Sequence, residues 1–193
     1  MKRYAMHSIL GILVFFTLTS FLSCGTKVKG AVGVSNFDVS KYLGKWYEIA
    51  RYDSWFEKDM DKTQAFYSLN EDGTVRVENS GYDVTKGKWK TSVGKAKFRG
   101  AKDIGELKVS FFGPFYGDYT ILALDSEYQY SLVIGSSLDY LWILSRTKTI
   151  PEEVKQHFLT LAKEYGFNTS ALYWVNQNEW LNLKLKKRRC ELL

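Results

Sequence analysis

Few residues of this chain have the chemistry of a catalyst. It has two histidines and two cysteines among 193 residues, and His157 is the only histidine after the first 23 residues. A serine or cysteine nucleophile needs a neighbouring base, and a zinc site needs several His or Cys ligands at short spacing. The chain also lacks a Gly-rich phosphate loop and a dinucleotide motif. The sequence therefore predicts no catalytic residue, no metal and no cofactor, with His157 on the surface of a helix.

The amino terminus has the pattern of an export signal. Two basic residues precede an almost wholly apolar run at 9–18, which is too short to cross a bilayer. Ser23 then precedes Cys24, as a small residue does before the cysteine that bacterial lipoproteins acylate. We expect residues 1–23 to be a lipoprotein signal peptide and Cys24 to carry the lipid. The alternative is ordinary secretion with a free Cys24 thiol.

Two short segments flank the predicted domain at 37–177. Residues 24–36 lack regular periodicity and are expected to be a tether, and residues 178–193 form a basic tail. The basic side chains of the tail could approach anionic headgroups or could simply be solvated. They come without an element that reads bases, so no nucleic-acid partner is expected. Cys190 has no partner cysteine if Cys24 is acylated, which predicts an inert thiol.

The body of the chain has the pattern of an all-β domain. Short aromatic or β-branched runs alternate with turn residues about every ten residues. Leu107, Val109 and Phe111 alternate with polar residues, which indicates one buried face per strand. Tight turns are predicted at 70–73 and 93–94. Strands are predicted near 45–53, 63–70, 74–81, 85–91, 94–99, 105–112, 118–125, 129–135 and 140–146.

A helix follows these strands. A hydroxyl, a proline and a glutamate at 149–152 form the pattern of a helix start capped by threonine. Apolar residues recur at helical spacing over 154–165, and Gly166 predicts the stop. A short extra strand is predicted at 171–175. Sequential hairpins with one buried face predict an up-and-down barrel with a single amphipathic helix outside.

Three local motifs, in this order and followed by a helix, resemble the lipocalin family. The first is Gly44-Lys45-Trp46 at the start of the first strand, the second is Gly117-Asp118-Tyr119, and the third is Arg146 at the end of the eighth strand. The stretches 108–117 and 139–146 resemble the bacterial outer-membrane lipoprotein branch of the family. The resemblance implies an all-β, eight-stranded antiparallel up-and-down lipocalin barrel with one C-terminal α-helix packed outside.

In the family pattern three of these residues are structural. Trp46 plugs the closed end of the barrel, and Arg146 lies across its indole ring while donating to nearby carbonyls. Gly44 lets the backbone turn into the strand where a side chain would crowd the floor. None of the three is expected to contact a ligand.

The candidate site is the interior of the barrel, because an eight-stranded barrel can hold one small ligand. Alternation along each strand, starting from Trp46, predicts which side chains face inward, and Leu107 is among them. Each could instead be core filler. The predicted ligand-binding residues are Glu48, Ala50, Tyr67, Val77, Asn79, Val109, Phe111, Tyr119 and Trp142.

The resemblance implies a protein that binds, stores or transports fatty acids or lysophospholipids. It would be anchored in the outer membrane through Cys24 and would face the periplasm. The loop at 112–119 could meet a lipid headgroup, form a contact in a homodimer or touch the membrane. Two alternatives remain open: a solid barrel with a structural role in the envelope and, less favoured, a lipocalin-type isomerase with Glu48 as its base.

Overall fold

The computed structural model describes residues 28–54 and 57–178. Strands in this part of the chain are β1 (Gly44–Arg51), β2 (Met60–Leu69), β3 (Val75–Asp83), β4 (Lys88–Phe98), β5 (Glu106–Phe112), β6 (Phe115–Leu124), β7 (Tyr130–Ile134), β8 (Leu141–Ser145) and β9 (Tyr173–Trp174). Helix α1 (Val39–Tyr42) precedes β1, while helix α2 (Glu152–Glu164) and a 3₁₀ turn (Thr169–Ala171) precede β9. The predicted signal peptide, Cys24 and Cys190 lie outside the described residues.

The first eight strands close into a barrel. Each pairs antiparallel with the next strand along the chain, and β8 pairs back with β1. β9 adds to the end of β1. The predicted eight-stranded up-and-down barrel with a helix outside is therefore confirmed. We call the end where β1 begins the floor, and the end where β1 finishes the open end.

Alternation along the strands separates two apolar clusters. The inner cluster fills the lower barrel and includes Trp46 of β1 and Leu144 of β8. The outer cluster lies between the barrel wall and α2, where Phe158 and Ala162 pack with Ile143 of β8. Neighbouring residues of β8 thus face opposite sides of the wall, as strand geometry requires.

Helix α2 ends as predicted but begins differently. Gly166 has a φ of +90°, and its N–H donates to the Lys163 carbonyl at 2.9 Å, which is part of a glycine-ended helix stop. The cap position is Pro151, with a ψ of 142° and no side-chain cap. The predicted cap at Thr149 is wrong, because proline disfavours helical backbone at the preceding Ile150.

The turn predicted at 93–94 is also wrong, since both residues lie inside β4. The actual turn is at 84–87, where the Asp83 carboxylate accepts backbone N–H groups. Gly94 is small for a packing reason. A Cβ there would lie 2.6 Å from the Ser110 carbonyl oxygen and 2.9 Å from the Phe111 ring.

The described end of the predicted tether lies against the barrel. The Val34 N–H donates to the Ile121 carbonyl at 2.9 Å, and the Gly105 N–H donates to the Val34 carbonyl at 2.8 Å. Ser35 forms a β-bridge with Ile104. This contact was not predicted, because a few extended residues are too short to show a periodicity. None of the helices in the described ranges is long and apolar enough to span a bilayer.

Candidate ligand-binding site

Trp46 and Arg146 close the floor of the barrel. Trp46 is fully buried, and its indole N–H donates to the Tyr42 carbonyl at 2.8 Å. The guanidinium carbon of Arg146 lies 4.0 Å from the centre of the indole ring. Its Nη1 and Nη2 atoms donate to the carbonyls of Lys45 and Lys41 at 2.7 and 2.8 Å. Arginine can stack and donate from its edge at the same time, which lysine cannot do.

Gly44 is required by its backbone conformation. Its φ is +90°, in the region that favours glycine. A Cβ would meet nothing closer than Arg146 Nη1, at 3.5 Å, which is an ordinary contact. The predicted crowding at the floor is therefore not the reason for this glycine.

Three tyrosines meet above the floor. The hydroxyl oxygens of Tyr42 and Tyr67 each lie 2.9 Å from that of Tyr119. Tyr67 is on β2 and Tyr119 is on β6, which stand on opposite sides of the barrel, so their side chains touch across the lumen. Burial raises the pKa of Tyr42 to about 12 and also raises the pKa of Tyr67 and Tyr119. The three phenols are therefore neutral hydrogen-bonding groups.

The wall above these tyrosines remains partly open to the lumen. Val77 is buried at 2% exposure, whereas the inward-facing Val109, Phe111 and Tyr119 are only half-buried. Because these side chains face the interior, their exposed area faces the lumen. A small cavity borders the tyrosines toward the floor, where Val39, Leu43 and Val75 line it. Above the tyrosines, the half-buried inward side chains form an accessible wall.

Two polar groups face the same space. The side-chain carbonyl oxygen of Asn79 is buried and has no hydrogen-bond partner among the described residues. Trp142 is half-buried on β8, and its indole N–H lies 3.3 Å from Glu57 Oε2. Apart from Ala50, every predicted ligand-binding residue faces the barrel interior. Their contact with a ligand stays a prediction.

Ala50 does not face the lumen. A β-bulge between Glu48 and Ala50 shifts the register of β1 against β8, and an extra residue in a strand reverses the facing of those after it. Ala50 is fully buried in the outer cluster, which contains Phe158 of α2. The prediction that Ala50 lines the pocket is wrong, because simple alternation does not anticipate a bulge.

The bulge turns Arg51 toward Glu48 instead. Arg51 has no exposed area, and its Nη1 donates to Glu48 Oε1 at 2.8 Å. Its Nη2 donates to the carbonyls of Glu57 and Met60 at 2.7 and 2.9 Å. The Thr63 hydroxyl donates to the same Glu48 oxygen at 2.9 Å. Neither Arg51 nor Glu57 was predicted, since a bulge and a loop contact have no signal in the pattern.

Two buried carboxyl groups, of Glu48 and Glu57, and the more exposed carboxyl group of Asp53 share this one guanidinium. Glu57 Oε2 lies 3.9 Å from Arg51 Nε. Burial, and then the charge of Glu48, raise the pKa of Glu57 to about 8. Burial also raises the pKa of Glu48, against the attraction of Arg51. Glu57 therefore retains a proton at neutral pH, which leaves Glu48 and Arg51 as the ion pair at the open end.

The described residues include no group of three His, Cys, Asp or Glu side chains that could hold a metal ion. His157 is exposed on α2, where its ring contacts Phe158. The geometry of this interior is that of a partly open apolar tube with a tyrosine cluster below and an ion pair above.

Comparison with known proteins identifies the family. The family model described as "Lipocalin-like domain" matches residues 37–177. The chain is 53% identical over 155 residues to "Outer membrane lipoprotein Blc" of Escherichia coli, which covers 80% of this chain and 88% of that protein. It is 44% identical over 173 residues to the protein of that name from Vibrio cholerae, and the alignment covers 89% of this chain and 99% of that protein.

Solved structures show the same fold. Insecticyanin from the tobacco hornworm Manduca sexta superimposes with a TM-score of 0.66 at 22% identity, covering 80% of this chain and 88% of that one. With its closed barrel, its stacked Trp46 and Arg146 at the floor, and a family match over the whole barrel, this chain belongs to the lipocalin family.

Proposed function

We propose that this protein binds a lipid with one long hydrocarbon chain, a fatty acid or a lysophospholipid, in the lumen of its barrel. The observation that carries the proposal is the accessible apolar wall between the tyrosine cluster and the open end, formed by Val109, Phe111 and Trp142. A tube that is closed at the floor and apolar along its wall suits a hydrocarbon tail that enters from the open end.

The energetics of such binding depend mainly on chain length. Each buried methylene gains about 0.8 kcal/mol, so a chain of about 16 carbons gains about 12 kcal/mol. Association costs about 4–15 kcal/mol, which leaves at most about 8 kcal/mol, the equivalent of micromolar affinity. Because the wall offers few polar contacts, we expect selectivity by tail length rather than by the chemistry of the tail.

The polar end of the ligand has a suitable contact in Asn79. Its unpaired buried carbonyl oxygen is an acceptor, and a hydroxyl or ammonium group of the ligand would satisfy it. The carboxylate of Glu48 is already engaged by Arg51 and Thr63. We therefore propose that Glu48 stabilises the open end instead of contacting the headgroup.

The proposed location is the outer membrane. The chain begins with an export-signal pattern that ends at Cys24, and its bacterial relatives are named outer membrane lipoproteins. Acylation of Cys24 would place the barrel at the membrane surface, facing the periplasm. The membrane would then supply lipid close to the open end of the barrel.

Binding is a better description of this interior than catalysis. Glu48 and Glu57 are both engaged by Arg51, and the Glu48 oxygen that accepts from the Thr63 hydroxyl also accepts from Arg51, which weakens it as a base. An isomerase would need a second acid or base beside Glu48, and the protonated Glu57, the group in that place, already accepts hydrogen bonds from Ser54 and Trp142.

One observation favours a second candidate, a barrel with a purely structural role. Tyr67 and Tyr119 touch across the lumen, which shortens the tube available to a ligand. Whether the lumen above these tyrosines is deep enough to hold a lipid tail decides between the two functions. Analysis of the bound lipid tests this directly.

The test uses the Cys24→Ser protein, purified without a lipid anchor. An organic extract of this protein is analysed by mass spectrometry, and the delipidated protein is titrated with palmitate while tryptophan fluorescence is followed. We expect a co-purified lipid and saturable quenching. If the extract is empty and quenching does not saturate, the structural role is correct and lipid binding is not.

A further inference from the structure

Aromatic rings form a continuous column from the floor of the barrel to the tyrosine cluster. The ring centres of Trp46 and Tyr42 lie 4.7 Å apart, and those of Tyr42 and Tyr67 lie 5.5 Å apart. The centre of the Tyr119 ring lies 6.3 Å from that of Tyr67. Tyr119, which is half-buried and faces the lumen, is therefore in contact with a column of rings that begins at the plugged floor.

Hydrogen bonds connect the tyrosine cluster to several walls of the barrel. The Tyr119 hydroxyl oxygen lies 2.9 Å from those of Tyr42 and Tyr67, and the Tyr42 hydroxyl oxygen lies 3.2 Å from Ser131 Oγ. These contacts join β2, β6, β7 and helix α1. A lipid tail that displaced Tyr119 would leave buried hydroxyl groups without partners, which costs free energy. The tyrosine cluster is therefore a fixed barrier across the lumen.

The small cavity on the floor side of the tyrosine cluster is apolar beyond the cluster itself. Val39, Leu43 and Val75 line its lower part. The three tyrosines also line this cavity, so their rings lie between it and the upper lumen. Removing the ring of Tyr119 would join the two spaces, and the joined space would be apolar along its length.

We propose that Tyr119, held in place by the tyrosine cluster, sets the longest hydrocarbon tail that the lumen accepts. The proposal rests on lipid binding in the lumen as proposed above, and it assigns the choice among lipids to one residue. A tail that ends at the Tyr119 ring is buried along its whole length. A longer tail cannot move deeper, so its additional methylene groups stay at the open end in contact with water.

A tube of fixed depth has a characteristic dependence on tail length. Burial of each methylene group raises affinity about fourfold. The affinity for saturated fatty acids should therefore rise by this factor with each carbon until the tail reaches Tyr119, and then stay level. An open apolar surface would instead bind longer tails more and more tightly, because the buried area keeps growing. The limiting length thus measures the depth of the lumen.

The test titrates the delipidated Cys24→Ser protein with laurate, myristate, palmitate, stearate and arachidate while tryptophan fluorescence is followed. We expect the affinity of this parent protein to rise along the series and then to level off at a limiting length. Tyr119→Ala should raise the limiting length by about two carbons or more, because the removed ring and the cavity below it provide room. Tyr119→Leu removes the ring with a smaller loss of packing and should shift the limiting length in the same direction. It keeps the test available if circular dichroism shows that Tyr119→Ala does not fold.

Two tyrosine variants are the matched controls, and both should keep the limiting length of the parent. Tyr119→Phe retains the ring, and Tyr116→Ala removes an exposed ring on the outer face of β6, where the ammonium group of Lys97 lies 4.3 Å from its centre. An unchanged limiting length in the folded Tyr119→Ala or Tyr119→Leu protein, with saturable binding of palmitate, would overturn this proposal and leave lipid binding in the lumen intact. Parental affinity that keeps rising through arachidate would overturn it as well. If the parent binds none of these fatty acids, lipid binding in the lumen is itself wrong and this proposal fails with it.

Discussion

At the floor of the barrel, Trp46 and Arg146 each contact more than one other group. Trp46 donates to Tyr42 and receives the stacked face of Arg146, which in turn donates to backbone carbonyls on both sides. Deleting the indole leaves a cavity and also leaves the guanidinium without its ring. Both losses act on the folded state alone, far from the proposed ligand wall.

Trp46→Ala should therefore lower the free energy of unfolding by about 3–5 kcal/mol, the usual cost of truncating a buried tryptophan. Urea unfolding followed by circular dichroism measures this change. Trp89→Ala, at a site 53% exposed, is the control and should change stability little. A Trp46→Ala protein as stable as the parent would mean that the indole does not plug the floor.

Glu57 gives the open end a defined pH response. Its pKa is raised to about 8 in the folded protein by burial and by Glu48, above the ordinary value near 4.3. A carboxyl group whose pKa is raised by folding makes its full contribution to the free energy of unfolding at low pH. This contribution is lost as the pH rises from the ordinary pKa through the raised one. The free energy of unfolding should thus contain a component that falls between about pH 5 and pH 8.

Glu57→Gln should remove this component. Relative to the parent, the variant should gain stability as pH rises from 5 to 8, with a slope no steeper than about 1.4 kcal/mol per pH unit, the value for one proton. Urea unfolding at a series of pH values measures the difference, with Glu153→Gln on the exposed face of α2 as control. A constant difference across this range would show that Glu57 ionises normally.

At the scale of elements, the seam between β1 and β2 is incomplete. The two strands pair only from Gly44 to Tyr47 and separate toward the open end. The side-chain amide of Gln177 fills this gap by donating to the carbonyls of Glu48 and Thr63, both at 2.8 Å. The chain after β9 thus replaces ladder hydrogen bonds that the strands do not make themselves.

Gln177→Leu keeps most of the side-chain volume but leaves two buried carbonyl groups without their donors. We expect a loss of about 1–3 kcal/mol, the usual cost of an unsatisfied buried group. Gln156→Leu on the exposed face of α2 is the control. Urea unfolding gives the stability of both variants, and equal stability would mean that the seam does not depend on this amide.

The bulge in β1 changes which way the end of the strand faces. It places Ala50 against α2 and Arg51 under the loop at the open end. One extra residue thus allows both the packing of the helix on the barrel and the ion pair between Arg51 and Glu48. Strand bulges serve to redirect side chains in this way.

At the scale of the whole molecule, the lumen is divided by depth. The floor and the tyrosine cluster fill the lower part, the accessible wall lies above them, and the ion pair of Arg51 and Glu48 stands at the open end. Ligand capacity should therefore depend on the wall beside the tyrosine cluster, where Val77 is paired with Tyr67 of β2 and Gly94 of β4.

Val77→Trp should weaken palmitate binding at least tenfold, because the larger side chain projects into the space proposed for the tail. Fluorescence titration of the delipidated Cys24→Ser protein measures the affinity, and circular dichroism checks the fold. The control is Val93→Trp, the same substitution at a residue 50% exposed on the outer face of β4. Normal binding by a folded Val77→Trp protein would place the ligand elsewhere.

The residues of the motifs determined much of this structure. Alternating apolar residues and the turn at 70–73 predicted the barrel, and the order of Trp46, Gly117–Tyr119 and Arg146 predicted the family. These signals are local, since a period of two and a glycine turn depend on neighbouring residues alone. They also placed Tyr67, Val109 and Phe111 on the inside of the wall correctly.

Tertiary structure alone decided how the site is arranged. The bulge that moves Ala50 outward, the approach of Glu57 to Arg51, the bridge by Gln177 and the contact of Tyr67 with Tyr119 all join residues that are distant along the chain or shift a register. Such contacts depend on how the closed barrel brings strands together, because strand number, tilt and stagger jointly determine which side chains meet across it. The pattern of residues therefore specified which faces are buried, while the packing of the closed barrel specified how much of the lumen stays open.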